Sequence, residues 1–160
     1  MSRALALPAA LAAVLLLAGC APTVSMRAAP EAASARCAGV VVRLPDAIGT
    51  VERRATDAQA TAAWGLPVTV TLTCGVPDVA AASPQCVTIG GVDWLLDEQR
   101  IDGADRQVLT TYGRSPGTQV VLIDPDRVSA DTVLNALADP VASATRRTGE
   151  RCLARSDTSP

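Results

Sequence analysis

The chain contains no lysine, no histidine and no phenylalanine, and these absences remove whole classes of chemistry. Without histidine there is no Ser-His-Asp or Cys-His relay, no histidine zinc ligand and no imidazole base near neutral pH. Without lysine there is no Schiff base, no Ser-Lys dyad and no lysine of the P-loop type. The basic residues are all arginines, which stay protonated and cannot act as bases. Catalysis would therefore depend on carboxylates, hydroxyls or Tyr112.

The beginning of the chain has the layout of a secretory leader that ends in a cysteine. Arg3 precedes an apolar run from Ala4 to Leu17, which is too short to cross the ~30 Å hydrocarbon core of a membrane. The order Leu-Ala-Gly-Cys at residues 17–20 resembles a bacterial lipobox, where a diacylglyceryl group is joined to the cysteine and the leader is cleaved before it. We therefore expect a lipoprotein signal peptide at residues 1–19. The alternative is an ordinary secretory signal followed by an accidental cysteine.

Lipid attachment at Cys20 would make the protein a palmitate-bearing lipoprotein on the extracytoplasmic face of the cell membrane. Two acyl chains suffice for stable anchoring. Residues 20–160 carry 13 arginines and 16 acidic residues, a formal charge of 13 − 16 = −3. This balance argues against nucleic acid and against an anionic membrane surface as electrostatic partners. The expected partners are the membrane, through the lipid, and an envelope protein or cell-wall material.

Four cysteines remain if Cys20 is lipidated, and an even number in an extracytoplasmic chain indicates two disulfides with three possible connectivities. We expect Cys74 to pair with Cys86, which closes a short loop, and Cys37 to pair with Cys152, which joins the two ends of the domain. No Cys-x-x-Cys pair supports a zinc site. Neither a metal nor a cofactor is predicted.

The composition divides the chain into an anchor, a tether, a domain and a tail. Residues 20–36 are small and contain two prolines, so we expect a flexible tether that spans on the order of 50 Å when extended. Residues 37–152 are predicted to form a single ectodomain, and residues 153–160 a disordered tail.

Helices are predicted at both ends of this domain. Cys37, Val40, Val41 and Leu44 share the spacing of one helical face, with Ser34 as N-cap and Pro45 as the stop. After Ser129 a second apolar face recurs at helical spacing, and Pro140 is expected to kink or end that helix.

Strands are predicted between the helices, whereas residues 46–63 give a poor signal. Residues 68–74 alternate apolar side chains with threonines, as in a strand buried on one face. Gly90-Gly91 predicts a tight hairpin that pairs Ile89 with Val92 and Val87 with Trp94. Residues 106–112 form a further strand, and residues 119–123 suit one covered on both faces. These patterns predict a disulfide-stapled α+β domain. It has a mainly antiparallel sheet of four or five strands, and the two helices cover one face of that sheet.

Several stretches together resemble the family called domain of unknown function 3515, whose members are actinobacterial membrane-anchored or secreted proteins. Besides the lipobox and the segment from Cys37 to Pro45, they are Ala63-Trp64-Gly65-Leu66-Pro67, Leu72-Thr73-Cys74-Gly75-Val76, Gly91-Val92-Asp93-Trp94 and Thr110-Thr111-Tyr112-Gly113-Arg114. The resemblance covers most of the chain from about Cys37 to Cys152. It implies no assigned activity and therefore no functional residues.

Three groups of residues are candidate sites. Trp64, Trp94 and Tyr112 are the only aromatic residues, and they either fill the core or include an exposed ring that stacks on a ligand. The carboxylates are concentrated between residues 93 and 105, and they could bind calcium or act as an acid-base pair. They are Asp93, Asp97, Glu98, Asp102 and Asp105. Arginines could clamp an anionic polymer or a carboxylate, although at a net charge of −3 the default interpretation is surface solubility and salt bridges, with Arg53 and Arg54 on a solvated surface or edge. They are Arg53, Arg54, Arg100, Arg106 and Arg114.

The function that fits best is a non-catalytic lipoprotein that binds or scaffolds something in the cell envelope. The alternatives are a glycan-binding or small-ligand-binding module built around Trp94, and a carboxylate-dependent hydrolase of the cell wall.

Overall fold

The computed structural model describes residues 22–79, 85–101 and 103–152, which form two α-helices and ten β-strands. The predicted signal peptide, Cys20, Asp102 and the predicted tail lie outside the described residues. The helices are α1 (Ala35–Val41) and α2 (Ala130–Ala144). The strands are β1 (Ala47–Ile48), β2 (Val51–Arg54), β3 (Thr61–Trp64), β4 (Val70–Val76), β5 (Gln85–Ile89), β6 (Val92–Ile101), β7 (Ala104–Tyr112), β8 (Arg114–Ser115), β9 (Gly117–Leu122) and β10 (Arg146–Arg147).

Eight strands form one sheet in the order β1-β2-β3-β4-β9-β7-β6-β5, and β8 pairs with β10 in a second, two-stranded sheet. Neighbours throughout the large sheet run antiparallel, which confirms the α+β class. The large sheet has eight strands where four or five were expected. The additional pairing comes from β1, β2 and β3. The four residues of β3 are all buried, three of them small, so the strand lacks the alternation that marks a half-buried strand.

The two faces of the sheet have different coverings. Val70, Leu72 and Cys74 of the central strand β4 are 0% exposed and point into the core, whereas Thr71 and Thr73 lie half-buried on the opposite face. Both helices contribute to that core, through Cys37 and Val40 of α1 and through Val133, Leu134 and Leu137 of α2. The second face of the sheet carries no helix of the described chain.

Each helix begins where its cap predicts. The Ser34 hydroxyl accepts a hydrogen bond from the Cys37 amide at 3.2 Å, and the Ser129 hydroxyl accepts one from the Thr132 amide at 3.3 Å. Helix α1 ends at Val41, earlier than expected, in a β-branched run that is unfavourable for helix. Helix α2 continues past Pro140 because Val141 is fully buried. Neither described helix is long and apolar enough to cross a membrane.

The β5–β6 hairpin has the predicted register, with Ile89 opposite Val92 and Val87 opposite Trp94. Gly90 and Gly91 adopt φ of 59° and 73°, which L side chains rarely do. A Cβ on Gly90 would lie 2.3 Å from the Cβ of Ala138, so the turn can pack closely on α2 only as glycine.

Strand β9 is confirmed, but only one of its faces is fully buried. Val120 and Leu122 are 0% exposed, whereas Gln119 and Val121 lie half-buried beside the threonines of β4. The expectation of a strand covered on both faces is therefore wrong.

The expected disulfide pairing is also wrong. Cys37 pairs with Cys74, and Cys86 pairs with Cys152, with Cα–Cα distances of 5.5 and 5.6 Å. The strands β4 and β5, which carry Cys74 and Cys86, are separated in the sheet by β9, β7 and β6. Four strand spacings are about 19 Å, whereas a disulfide needs Cα atoms closer than about 7 Å.

Residues 22–36 were expected to be a flexible tether, but the structure holds them against the domain. Val24 forms a parallel bridge with Thr56, and the Glu31 amide donates to the Gly75 carbonyl at 3.0 Å. A Cβ on Gly75 would lie 2.5 Å from the backbone of Ala32. Backbone hydrogen bonds, which residue composition does not reveal, therefore fix the segment on the surface.

Candidate functional site

The tryptophans proposed as ligand-binding residues lie inside the core. Trp64 and Trp94 are both 0% exposed, and the Trp64 indole donates to the Pro45 carbonyl at 3.2 Å. Tyr112 is half-buried on β7, opposite Asp93. A ring enclosed on both faces cannot stack on a sugar. In this structure the tryptophans therefore fill the core of a protein that lacks phenylalanine.

Arg114 joins the hairpin turn to the end of α2. It is 5% exposed, and its guanidinium donates to the carbonyls of Gly91 at 3.2 Å and Ala142 at 3.3 Å, and to the Thr145 hydroxyl at 3.3 Å. Arg147 donates to the same Gly91 carbonyl at 3.1 Å. Burial, together with the charge of Arg147, lowers the pKa of Arg114. Arg114 is thus a structural tie between elements and not an exposed clamp for an anion.

Asp93 joins the same hairpin to the end of the described chain. Its carboxylate accepts hydrogen bonds from the Thr88 hydroxyl at 2.5 Å and from the Cys152 amide at 3.1 Å. The Cys86–Cys152 disulfide lies beside it, because Cys86 and Thr88 are on the same face of β5. We call Gly91, Asp93, Arg114, Arg147 and Cys152 the C-terminal clasp. Its charged residues hold the end of the described chain on the sheet.

The remaining acidic residues do not converge. Asp97 lies four residues beyond Asp93 on β6, about 13 Å along the strand, which is too far for an acid-base pair of carboxylates. Arg100 and Asp105 form a cross-strand ion pair at 3.4 Å, with side chains 71% and 83% exposed. In the described ranges no group of three histidine, cysteine or carboxylate side chains could hold a metal ion. Of the described residues predicted for calcium or hydrolysis, Asp93 therefore makes a structural contact, Asp97 lies apart from it, and Glu98 and Asp105 line one surface depression with Arg100.

Arg53 and Arg54 are adjacent on β2 but point to opposite faces of the sheet. Arg53 donates to the carbonyls of Val41 and Leu44 at the end of α1, both at 3.4 Å, where a cation is favoured by the helix dipole. Arg54 donates to the Gly65 carbonyl at 3.0 Å and also to the Pro22 carbonyl. The Arg53-Arg54 pair was predicted to be a solvated surface or edge, whereas both side chains bind backbone that lies outside the sheet.

Surface depressions lie at three places where elements meet. One of about 490 Å³ lies beside α1 and β2 and includes Val41 and Arg54. Another, of about 570 Å³, includes Arg36 and Arg43 of the α1 region and Ser143 of α2. The third, of about 400 Å³, includes Arg106 near the end of the β6–β7 hairpin. Neither tryptophan lines any of these three depressions.

The helix-free face of the sheet presents short side chains, several of them polar, at its centre. Thr71 and Thr73 of β4 lie opposite Val121 and Gln119 of β9, and all four side chains are half-buried. We call these four residues the open face. Its short side chains and alternating hydroxyls suit contact with another surface better than the enclosure of a small molecule.

The sequence did not reveal the residues that dock the N-terminal segment. Arg54 binds Pro22, and the Asp57 carboxylate accepts the Met26 amide at 2.8 Å. These hydrogen bonds do not follow from local spacing, because they join residues about 30 positions apart. That Met26 contact, followed by one from Ser25, lowers the pKa of Asp57. A lone aspartate after a strand carries no pattern that predicts this contact.

A protein-family model matches most of the chain. The model of a family described as "Protein of unknown function (DUF3515)" matches residues 4–148. No curated protein and no solved structure matches the chain.

Proposed function

Because the chain belongs to the DUF3515 family, whose function is unknown, we propose that it is an extracytoplasmic lipoprotein that acts as a non-catalytic binding or scaffolding module of the cell envelope. Cys20 carries the lipid in this proposal. The family match begins at residue 4, inside the apolar run, so the leader is part of what the match covers. Both disulfides support an oxidising compartment, since such bonds are rare in the cytosol.

The observation that supports the binding role most strongly is a contrast between two regions. The charged residues near the hairpin are used in structural hydrogen bonds, whereas the open face is not covered by a helix of the described chain. Arg114 and Asp93 are bound to backbone groups of the C-terminal clasp, so the charges nearest the hairpin stabilise the fold. The open face instead presents Thr71, Thr73 and Gln119 without a covering helix. A sheet face of this kind favours contact with a partner protein or with wall material through many weak polar contacts.

The anchoring part is tested by cell fractionation. The Cys20→Ser protein should leave the membrane fraction, whereas the matched Ala21→Ser protein, which keeps the thiol, should stay there. Retention of both proteins in membranes would overturn the anchoring proposal.

The binding part is tested by photo-crosslinking in cells, with a photoreactive residue at Gln119 or at Thr73 and a matched one at the exposed Arg100. Amine crosslinkers would fail because the chain has no lysine. One recurrent adduct from the open face, absent at Arg100, would support a binding module. Equal adducts at all three positions, or none from a folded and anchored protein, would argue against it.

A further inference from the structure

The N-terminal segment is hydrogen-bonded to the domain from its first described residue. The Val24 amide donates to the Ala55 carbonyl at 2.8 Å, and the Asp57 amide donates to the Val24 carbonyl at 3.3 Å. The Met26 amide binds the Asp57 carboxylate at 2.8 Å, and Arg54 binds the Pro22 carbonyl. The segment thus runs parallel to residues 54–57 and forms one isolated β-bridge there, between Val24 and Thr56. We call residues 22–26 the docked segment.

The docked segment leaves almost no free chain before it. One residue, Ala21, separates Cys20 from Pro22, so their Cα atoms lie at most about 7 Å apart. A free tether of residues 21–36 would instead reach on the order of 50 Å. Two acyl chains at Cys20 would therefore hold the domain surface around Pro22 at the level of the lipid headgroups.

The position of Pro22 in the fold identifies the surface that would face the lipid headgroups. The Arg54 guanidinium donates to both the Pro22 carbonyl and the Gly65 carbonyl. The next residue after Gly65 is Leu66, an apolar side chain that is 63% exposed. Val42, which is 77% exposed, follows Val41 at the end of α1, and Val41 lines the same depression as Arg54. Two of the most exposed large apolar side chains therefore lie at the end of the sheet where the docked segment begins.

The opposite end of the sheet lies far from that point. Strand β2 is second in the sheet and β5 is eighth, so six strand spacings of about 4.8 Å separate them by roughly 29 Å, less what twist removes. A domain held at its β1–β2 edge thus presents β5 and the C-terminal clasp away from the bilayer.

We infer that the docked segment fixes the orientation of the domain, with the β1–β2 edge, Val42 and Leu66 against the phospholipid headgroups and the β5 edge outward. The inference rests on the proposed lipidation of Cys20. The lipid supplies the affinity, and the surface around Leu66 adds apolar contact at the interface. The sheet then stands roughly perpendicular to the membrane plane. Its open face points sideways, where a partner can reach it.

The test uses the full chain, lipidated in its host and reconstituted in phosphatidylglycerol and phosphatidylethanolamine vesicles that carry a nitroxide quencher on some headgroups. Leu66→Trp and Val42→Trp report on the proposed contact surface, and Val87→Trp on β5 is the matched control. The native tryptophans are buried and give the same background in each protein. We expect the added fluorescence at positions 66 and 42 to be quenched at least roughly threefold more than at position 87, because four to five strand spacings, about 19 to 24 Å, separate the β3–β4 connection that carries Leu66 from β5.

Two insertions of the same 12-residue Gly-Ser linker distinguish a docked segment from a simple tether. Placed between Ala21 and Pro22, the linker adds a span of roughly 17 to 21 Å and should reduce quenching at position 66 to the level at position 87. Placed between Arg27 and Ala28, it leaves the docking hydrogen bonds in place and should change quenching little. Equal loss from both insertions, or equal quenching at positions 66 and 87, would overturn the inference.

Mass spectrometry of the same preparations separates this inference from the proposed function. A protein without lipid on Cys20 would refute the anchoring and the orientation together. A lipidated protein that fails the insertion test would refute the orientation alone.

Discussion

The two disulfides lie in regions of opposite character. Cys37 and Cys74 are 0% exposed and join helix α1 to the central strand inside the core. Cys86 and Cys152 are half-buried and join the last strand of the sheet to the end of the described chain. The sequence separations are 37 and 66 residues, for which chain entropy alone gives about 4 kcal/mol in each case. Any difference between the stabilities that the two disulfides contribute must therefore come from the residues around each bond.

The comparison shows how one chemical device can serve two purposes. At the first bond the cross-link coincides with the packing of helix on sheet, so its loss affects the whole core. At the second bond the cross-link is reinforced by Asp93 and Arg147, and its loss should release a terminal segment while the sheet stays folded. The substitutions below test this difference, each in the Cys20→Ser protein.

The largest effect is expected from replacing both Cys37 and Cys74 by alanine. The free energy of unfolding should fall by roughly 5 kcal/mol, because a cavity of two buried sulfurs adds to the lost cross-link. Urea denaturation followed by tryptophan fluorescence measures the change. A loss no larger than that of the Cys86/Cys152 pair would contradict the contrast between the two regions.

Replacing Cys86 and Cys152 by alanine should lower the free energy of unfolding by about 3 kcal/mol or less, because the freed end can fray without opening the sheet. Amide hydrogen exchange should accelerate in β5 and at residues 146–152 while β4 keeps its protection. Equal acceleration in β4 would show that the second disulfide also supports the core.

Arg114→Met should cost about 2 kcal/mol, because it removes charged hydrogen bonds and leaves the Ala142 and Gly91 carbonyls with fewer donors. The matched control is Arg100→Met, which breaks an exposed ion pair and should change stability by less than about 0.5 kcal/mol. Denaturation curves of the two proteins compare a buried arginine of β8 with a solvated one of β6. Equal effects would mean that Arg114 is not a structural tie.

The smallest effect concerns Asp57 and the docked segment. The pKa of Asp57 is lowered by the Met26 amide and the Ser25 hydroxyl, so its contribution is present above its ordinary pKa near ~3.9 and is lost as pH falls through the lower folded value. The protection factors of the Met26 and Val24 amides, which are corrected for the intrinsic pH dependence of exchange, should fall below about pH 4 and change little from pH 5 to 8. Asp57→Asn should abolish that pH dependence, whereas Asp78→Asn should preserve it. A midpoint above pH 5 would contradict the assignment to Asp57.

The sequence predicted those elements that carry a local signal, such as a turn, a helix cap or a strand periodicity. The Gly90-Gly91 hairpin, the caps at Ser34 and Ser129 and the alternating strand β4 follow from turn chemistry and periodicity, and each is present. The cysteine pairing could not be derived, because it depends on β4 and β5 lying four strands apart in the sheet.

The candidate site was less predictable than the fold. The charged residues near the hairpin could be located, but their roles depend on Arg147 and Cys152, which contact Gly91 and Asp93 from more than 50 residues away. The docked segment was missed for the same reason, since backbone hydrogen bonds to residues 54–57 leave no trace in side-chain composition. The structures of the hairpin region and of the docked segment thus both depend on long-range hydrogen bonds to backbone groups.

The central claim is that the protein is a lipoprotein whose chain begins at Cys20. Intact-mass and N-terminal peptide mass spectrometry of the protein extracted from membranes, without reductant, tests it most directly. The account predicts a chain that starts at Cys20, carries a diacylglyceryl group there and has two disulfides. A chain that keeps residues 1–19, or one with a free Cys20 thiol, would contradict it.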